Sequence, residues 1–517
     1  MLTRRGVLGA AAAAGAWLAT RSLHAATIDI EETSVAALAA AMQAGKVGAV
    51  DLVDAYLRRI AAADKQLHSV LYTNPDAARD AAALDAERKA GKVRGPLHGI
   101  PILIKGNIDT ADKMATTAGS LALAGRIAKK DAFVVERLRA AGCVLLGKTN
   151  LSEWANFRST HSSSGWSGEG GQAKNPYALD RSPSGSSSGS GAAAATSLAA
   201  ACVGTETDGS ILSPSSCQGL VGLKPTVGLV SRAGIIPIAH SQDTAGPMAR
   251  SVADAAVLLA GMVGADPADA ATARAPKGAD YLAALVAGGL KGARIGVARK
   301  KFFGMNPAAD RAGEDALRIL RDAGAVLVDP ADVATDGVDD AELEVLLYEF
   351  KNDLEVYLAA AGTGVRTIAD LVAWNDAHAT EEMPFFGQEL FAQAAKKGPL
   401  TDAAYRKAVA HCKRQAQTID AIMAKHRLDA VVCPTGGPAW LIDHVNGDAF
   451  TGSSTTPAAV AGYPAITVPA GETHGLPLGV TFMGKPWTEA TLLRLAFGFE
   501  QIAKARKPPD LRPTVPV

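Results

Sequence analysis

The chain predicts a layered α/β body, and three observations carry that prediction. Gly99-Ile-Pro-Ile-Leu-Ile-Lys105 is a continuous apolar run of strand length. Phe133 to Ala141 has helical amphipathic spacing and leads into a second apolar run, Val144 to Leu146. Apolar strands return late, at Asp429 to Cys433 and Ala465 to Val468, beyond a long helix-rich stretch. Strands that alternate with helices must cover a sheet with helical layers. At 517 residues the chain is long enough for two or three ordinary domains, yet large α/β enzymes organise one core of this size.

Taken in order, Thr3-Arg-Arg-Gly-Val-Leu-Gly9, the apolar stretch Ala10 to Thr20 and the exit Leu23-His-Ala25 read as a twin-arginine export signal over residues 1–25. That stretch is short for a spanning helix, so a stable membrane anchor is not expected. The mature chain then runs over residues 26–517, in the periplasm or outside the cell. Helices are expected at Val35 to Gln43 and Asp51 to Ala63, with Ser34 and Asp51 as caps. The Gly/Ser-rich stretch from Ser159 to Ser188 reads as a long loop, and Trp154 and Trp166 are candidates to line a pocket beneath it. Gly191 to Ala201 is a good helix former, with Ser188 or Ser190 available as a cap. Ile295 to Ala298 is a strand. The region from there to about Lys425 is expected to select substrate, with Tyr348 to Leu354 as a rim helix.

Composition removes several function classes. The chain carries 52 basic and 52 acidic residues, so no basic footprint for nucleic acid or a membrane surface exists. Its five cysteines are Cys143, Cys202, Cys217, Cys412 and Cys433, an odd number without a C-x-x-C pair. They suit small buried hydrophobes, and Cys202 and Cys217 bond only if they meet in space. The histidines do not cluster with metal-ligand spacing, and nothing in the chain asks for a metal or other cofactor.

The chemistry concentrates in Pro183-Ser-Gly-Ser-Ser-Ser-Gly-Ser-Gly191 and Gly204-Thr-Glu-Thr-Asp-Gly-Ser-Ile211, with Lys105 upstream. An amide hydrolase needs a nucleophile, a base for it, and backbone donors for the oxyanion. A Lys at the end of a buried strand is a base once desolvation has lowered its pKa by roughly three units, which is within the range of buried lysines. Two rival readings exist. The Ser/Gly run also suits a linker. Gly185-Ser-Ser-Ser-Gly189 also fits a G-x-S-x-G elbow around Ser187, which then requires a histidine such as His240, His411 or His444.

These residues resemble the amidase signature family, whose triad is Ser, cis-Ser and Lys. The resemblance extends over Gly99 to Ser120, Gly147-Lys-Thr-Asn-Leu-Ser-Glu153, Pro183 to about Ala256, Gly462 to Pro469 and Pro477 to Gly484. It is nearest the bacterial peptide amidase branch, whose members hydrolyse C-terminal carboxamides and related small amides. The resemblance implies one large α/β/α domain around a mixed, many-stranded sheet. By position it implies Ser210 as nucleophile, Ser186 as bridging serine after a cis peptide bond, and Lys105 as base. The backbone from Thr207 through Asp208 and Gly209 to Ser210 would form the oxyanion hole, helped by the positive end of a following helical turn. Two positions depart from the usual family pattern: Asp208 stands two before the nucleophile where Gly is common, and Leu212 replaces a frequent Arg. Asp208 is expected to meet donors of a polar substrate. The expected partner is a small-molecule or peptide amide. The alternatives are arylamide or fatty amide hydrolysis, the ammonia-releasing subunit of an amidotransferase, and a non-catalytic amide-binding protein. Oligomeric state is not written in the sequence.

Overall fold

An eleven-stranded mixed sheet runs through the molecule. The computed structural model describes residues 29–516, so the leader expected over residues 1–25 lies outside the described residues. The strands are β1 Val70–Thr73, β2 Pro101–Lys105, β3 Val144–Thr149, β4 Trp166–Ser167, β5 Gly171–Gln172, β6 Ala201–Glu206, β7 Val221–Lys224, β8 Thr244–Ala249, β9 Arg294–Val297, β10 Val326–Val328, β11 Ala430–Pro434, β12 Ala465–Thr473 and β13 Leu476–Met483. In the large sheet they lie in the order β1-β3-β2-β6-β8-β7-β12-β13-β11-β9-β10, and β4 and β5 form a separate small hairpin. Helices cover the sheet, as the alternating pattern requires, and the α/β/α expectation holds.

The apolar run ending in Lys105 is β2, parallel to β3 on one side and β6 on the other. Ile102, Leu103 and Ile104 are fully buried, which explains why the strand reads as unbroken apolar sequence instead of alternating. β12 and β13 form a hairpin closed by His474 and Gly475, both with positive φ, as a tight two-residue connection needs to match strand twist. Among the described residues no helix is long and apolar enough to cross a membrane.

Two of the three expected helices need correction in their bounds and caps. The first helix runs over Val35–Gln43 with Ser34 as its cap, as expected. The second begins earlier than expected, at Ala49, and ends at Leu67. Gly48 occupies its cap position, and Asp51 sits one turn in, where its carboxylate accepts from the Gly48 N–H at 2.8 Å. The Ala-rich helix spans Ser188–Ala195 in place of Gly191 to Ala201. Its serines do not cap it: the Ser188 hydroxyl donates to the Ser184 carbonyl at 2.7 Å and the Ser190 hydroxyl to the Val203 carbonyl at 3.0 Å. Close packing fixes that position, because a Cβ on Gly189 would lie 2.3 Å from the Ser69 carbonyl oxygen. The chain then leaves the helix through a turn to supply β6, so Ala201, a residue of high helix propensity, becomes strand.

Candidate active site

Lys105 ends β2 inside the protein with no exposed surface. Its Nζ lies 2.7 Å from Ser186 Oγ, 2.9 Å from Thr205 Oγ1 and 3.3 Å from the Thr205 carbonyl oxygen. Burial pulls its pKa down to about 7, against the opposing pull of the Glu206 and Asp243 carboxylates. A neutral amine suits this environment: it can keep two N–H groups on Thr205 while its lone pair accepts the Ser186 proton. Asn107 Nδ2 donates to the same Thr205 hydroxyl at 3.0 Å and holds it in place.

The Gly185–Ser186 peptide bond is cis. Gly185 is required on steric grounds, since a Cβ there would lie 2.2 Å from Ser152 Oγ. Neighbouring Ser187 fastens the loop to β6: its hydroxyl donates to the Thr205 carbonyl at 3.0 Å and accepts from the Thr205 N–H at 3.2 Å. Its own N–H donates to the Ser210 carbonyl at 3.1 Å, joining the two serine turns. This removes the elbow reading of Ser187. His240 bonds Asp353, His411 bonds the Asp336 carbonyl and His444 bonds Gln172, so all three histidines are engaged elsewhere.

Past the end of β6 the chain turns at Gly209, whose φ of +77° is the left-handed conformation that favours glycine. Ser210 follows, 7% exposed, on the wall of a cavity of about 470 Å³. Thr207, Asp208, Gly209 and Gly185 line the same cavity, whereas Ser186 and Lys105 lie fully buried behind it. The structure therefore brings all six sequence-predicted site residues together, with Ser210 in front and the Lys–Ser pair at the back.

One expectation about this turn is overturned. The first N–H groups of the following helix, Leu212–Cys217, do not point to an oxyanion. Glu206 Oε2 accepts from the Ile211 N–H at 2.7 Å and the Leu212 N–H at 2.9 Å, and so uses up the helix's positive end. Burial raises the Glu206 carboxyl above its ordinary range, and these two donors and Lys224 act to lower it. The N–H groups of Thr207, Asp208, Gly209 and Ser210 have no protein acceptor among the described residues. They are the donors that remain for a substrate oxygen.

Asp208 does face the cavity. Its Oδ2 accepts from the Thr456 hydroxyl at 2.7 Å, and its Oδ1 is buried without a partner. Trp154 and Trp166 do not line the cavity. Trp154 meets Phe391 edge-on at 5.8 Å, and Trp166 packs against Phe385 and Phe386 at 5.7 and 5.2 Å. Nearness in sequence to a motif does not fix which way a ring points. The rim-helix segment belongs to the helix Val338–Ala361, of which Leu346 reaches the cavity while Phe350 and Leu354 are buried in the core. Cys202 and Cys217 do not pair; both thiols are free and buried, and burial pushes each up to about 12.

Sequence reasoning misses part of the lining. Trp440, Asp448, Phe450, Thr455 and Thr456 come from the segment between β11 and β12 and line the cavity, with Thr455 and Thr456 directly against the nucleophile turn at Gly209 and Asp208. The hydroxyl-rich run Gly452-Ser-Ser-Thr-Thr-Pro457 is the available signal. It leads into the short helix Thr456–Ala461.

The family model described as Amidase matches residues 51–493, which covers every strand of the sheet and every residue of the candidate site. The chain belongs to the amidase family. Among solved amidases, the native peptide amidase of Stenotrophomonas maltophilia is 52% identical, with a TM-score of 0.88 over 93% of this chain and 99% of that one. An amidase family protein of Bacillus anthracis is 35% identical with a TM-score of 0.85, over 94% and 96% of the two chains. By sequence, a probable amidase of Arabidopsis thaliana is 39% identical over 93% of this chain and 92% of its own. A glutamyl-tRNA(Gln) amidotransferase subunit from Chloroflexus aurantiacus is 37% identical over 92% and 98%. As an amidase, the protein is a hydrolase acting on carboxylic amides.

Proposed function

We propose that this amidase hydrolyses C-terminal peptide carboxamides to the free acid and ammonia, with Ser210, Ser186 and Lys105 as its catalytic residues. The observation that carries the reading is a fully buried Lys105, its pKa pulled down to about 7 by burial, 2.7 Å from Ser186 behind a cavity that presents Ser210. The 52% identity to a peptide amidase supports the substrate class.

In this reading Lys105 takes the Ser186 proton, Ser186 takes the Ser210 proton, and Ser210 Oγ attacks the amide carbonyl. The oxyanion is held by N–H groups of the turn from Thr207 through Asp208 and Gly209 to Ser210. One such donor is typically worth roughly a hundredfold or more in rate. The relay then runs backwards: the Lys105 ammonium returns its proton through Ser186 to the departing nitrogen, and ammonia leaves. Water, deprotonated along the same path, cleaves the Ser210 ester and restores the serine.

Ammonia release from acetamide, benzamide, a long-chain amide and C-terminally amidated dipeptides tests the substrate class. Release chiefly from the dipeptide amides is expected. Release chiefly from another member of the panel would keep the chemistry and discard the peptide reading. The proposal includes twin-arginine export of a mature chain beginning near Ala26. N-terminal sequencing of enzyme recovered from the periplasm should find that start, and an intact Met1 in the cytoplasmic fraction alone would refute it.

A further inference from the structure

The wall of the Ser210 cavity has a charge pattern that the family's chemistry does not require. Among the described residues, its lining contains two carboxylates, Asp208 and Asp448, and no Lys, Arg or His. The partners of both carboxylates are neutral: Asp448 Oδ2 accepts from the Ser164 N–H at 3.0 Å, and Asp208 Oδ2 from the Thr456 hydroxyl at 2.7 Å. Asp208 Oδ1 is buried without any partner. His444, four residues before Asp448 and near enough to act on it, stacks on Phe385 at 3.9 Å with its Nε2 on Gln172, and burial lowers its pKa, which favours the uncharged ring. Lys224 acts on Asp208 only from the buried side, with no exposed surface of its own.

A carboxylate in a poorly solvated wall is costly unless something with donors or positive charge comes to it. Two aromatic rings stand beside Asp448. Trp440 and Phe450 both line the cavity, edge to face with centroids 5.5 Å apart. A carboxylate next to aromatic faces is a suitable receptor for an ammonium or guanidinium group, and it repels a carboxylate. Asp208, at the nucleophile turn, adds a second negative charge to the same cavity lining.

We infer that the site selects peptide amides carrying a positive charge close to the scissile carboxamide, with Asp448, Trp440 and Phe450 forming the cation subsite. This rests on the peptide amide reading above. It also gives the product a reason to leave: hydrolysis replaces a neutral carboxamide with a carboxylate inside a wall that offers no cation to hold it.

The test is a competition among Ac-Lys-Phe-NH2, Ac-norleucyl-Phe-NH2 and Ac-Glu-Phe-NH2 in one reaction, with the native enzyme and with Asp448→Asn. Competition in one vessel reads ratios of kcat/KM, which do not depend on how much of a variant is folded. The lysine peptide should be preferred over the norleucine peptide by about tenfold or more, as expected of one partly desolvated charge pair, and the glutamate peptide should fall about tenfold below it. In Asp448→Asn the lysine preference should shrink to within about twofold. Equal rates for all three peptides, or a lysine preference that survives in Asp448→Asn, would overturn the inference alone. Hydrolysis of benzamide with none of the three peptides cleaved would overturn both this inference and the peptide reading.

Discussion

Ser210→Ala should abolish amide hydrolysis and leave the fold unchanged. Removing a serine nucleophile from a relay of this kind costs on the order of 10⁶-fold in kcat. The stability cost is small because the Ser210 side chain stands on a cavity wall, while its carbonyl, which accepts from the Ser187 N–H, is retained in the variant. Ammonia release measured beside a thermal melt separates the two effects. A well-folded variant that keeps substantial turnover would remove Ser210 from the mechanism and leave Ser186 as the attacking group.

Lys105→Met is expected to have the next largest effect, and its pH dependence is more diagnostic than its size. Methionine keeps the length of the side chain but cannot accept a proton, so kcat should drop by roughly 10²- to 10⁴-fold, the usual range for a general base. In the native enzyme Lys105 is protonated below about 7 and neutral above it. Since the neutral amine is the active form, kcat/KM should rise with pH through about 7 and then level off. In Lys105→Met that rise should disappear from the residual rate. If the inflection persists, it belongs to another buried group. Asp243 is the candidate, because burial raises its carboxyl to about 6 and its Oδ1 accepts from Thr207 beside the nucleophile turn at 2.6 Å.

The candidate site is legible in the sequence because its residues sit in local patterns. A run of apolar residues must be a buried strand, and whatever ends it must meet the interior, which locates Lys105. The two serine turns are marked by glycines at positions where a Cβ does not fit or φ is positive, namely Gly185 and Gly209. Local reasoning fails where tertiary contact decides. The Ala-rich segment reads as helix through Ala201, but its last residue belongs to a strand because β2 and β8 need β6 between them. The helix end after Ser210 reads as an oxyanion donor, but Glu206, five residues away in sequence, folds back to take its N–H groups. The aromatic and acidic wall around Trp440 and Asp448 reaches the serines only through the fold, across more than 200 residues of chain.

The strand order also has a consequence in time. The six strands from residues 70–249 occupy one contiguous side of the sheet, and the five from residues 294–483 occupy the other. They meet at a single seam, where Gly222, Leu223 and Lys224 of β7 pair with Thr467, Ile466 and Ala465 of β12. During synthesis the first side can assemble while β7 still presents an unpaired, apolar edge. Its partner emerges only about 240 residues later, a wait of roughly 10–50 s at ribosomal speeds of ~5–20 residues per second. An open edge of that kind is where a nascent chain joins a neighbour, so the burden on chaperones should fall on this interval. Ribosome-bound chains halted before residue 465 are the species in which that edge is exposed.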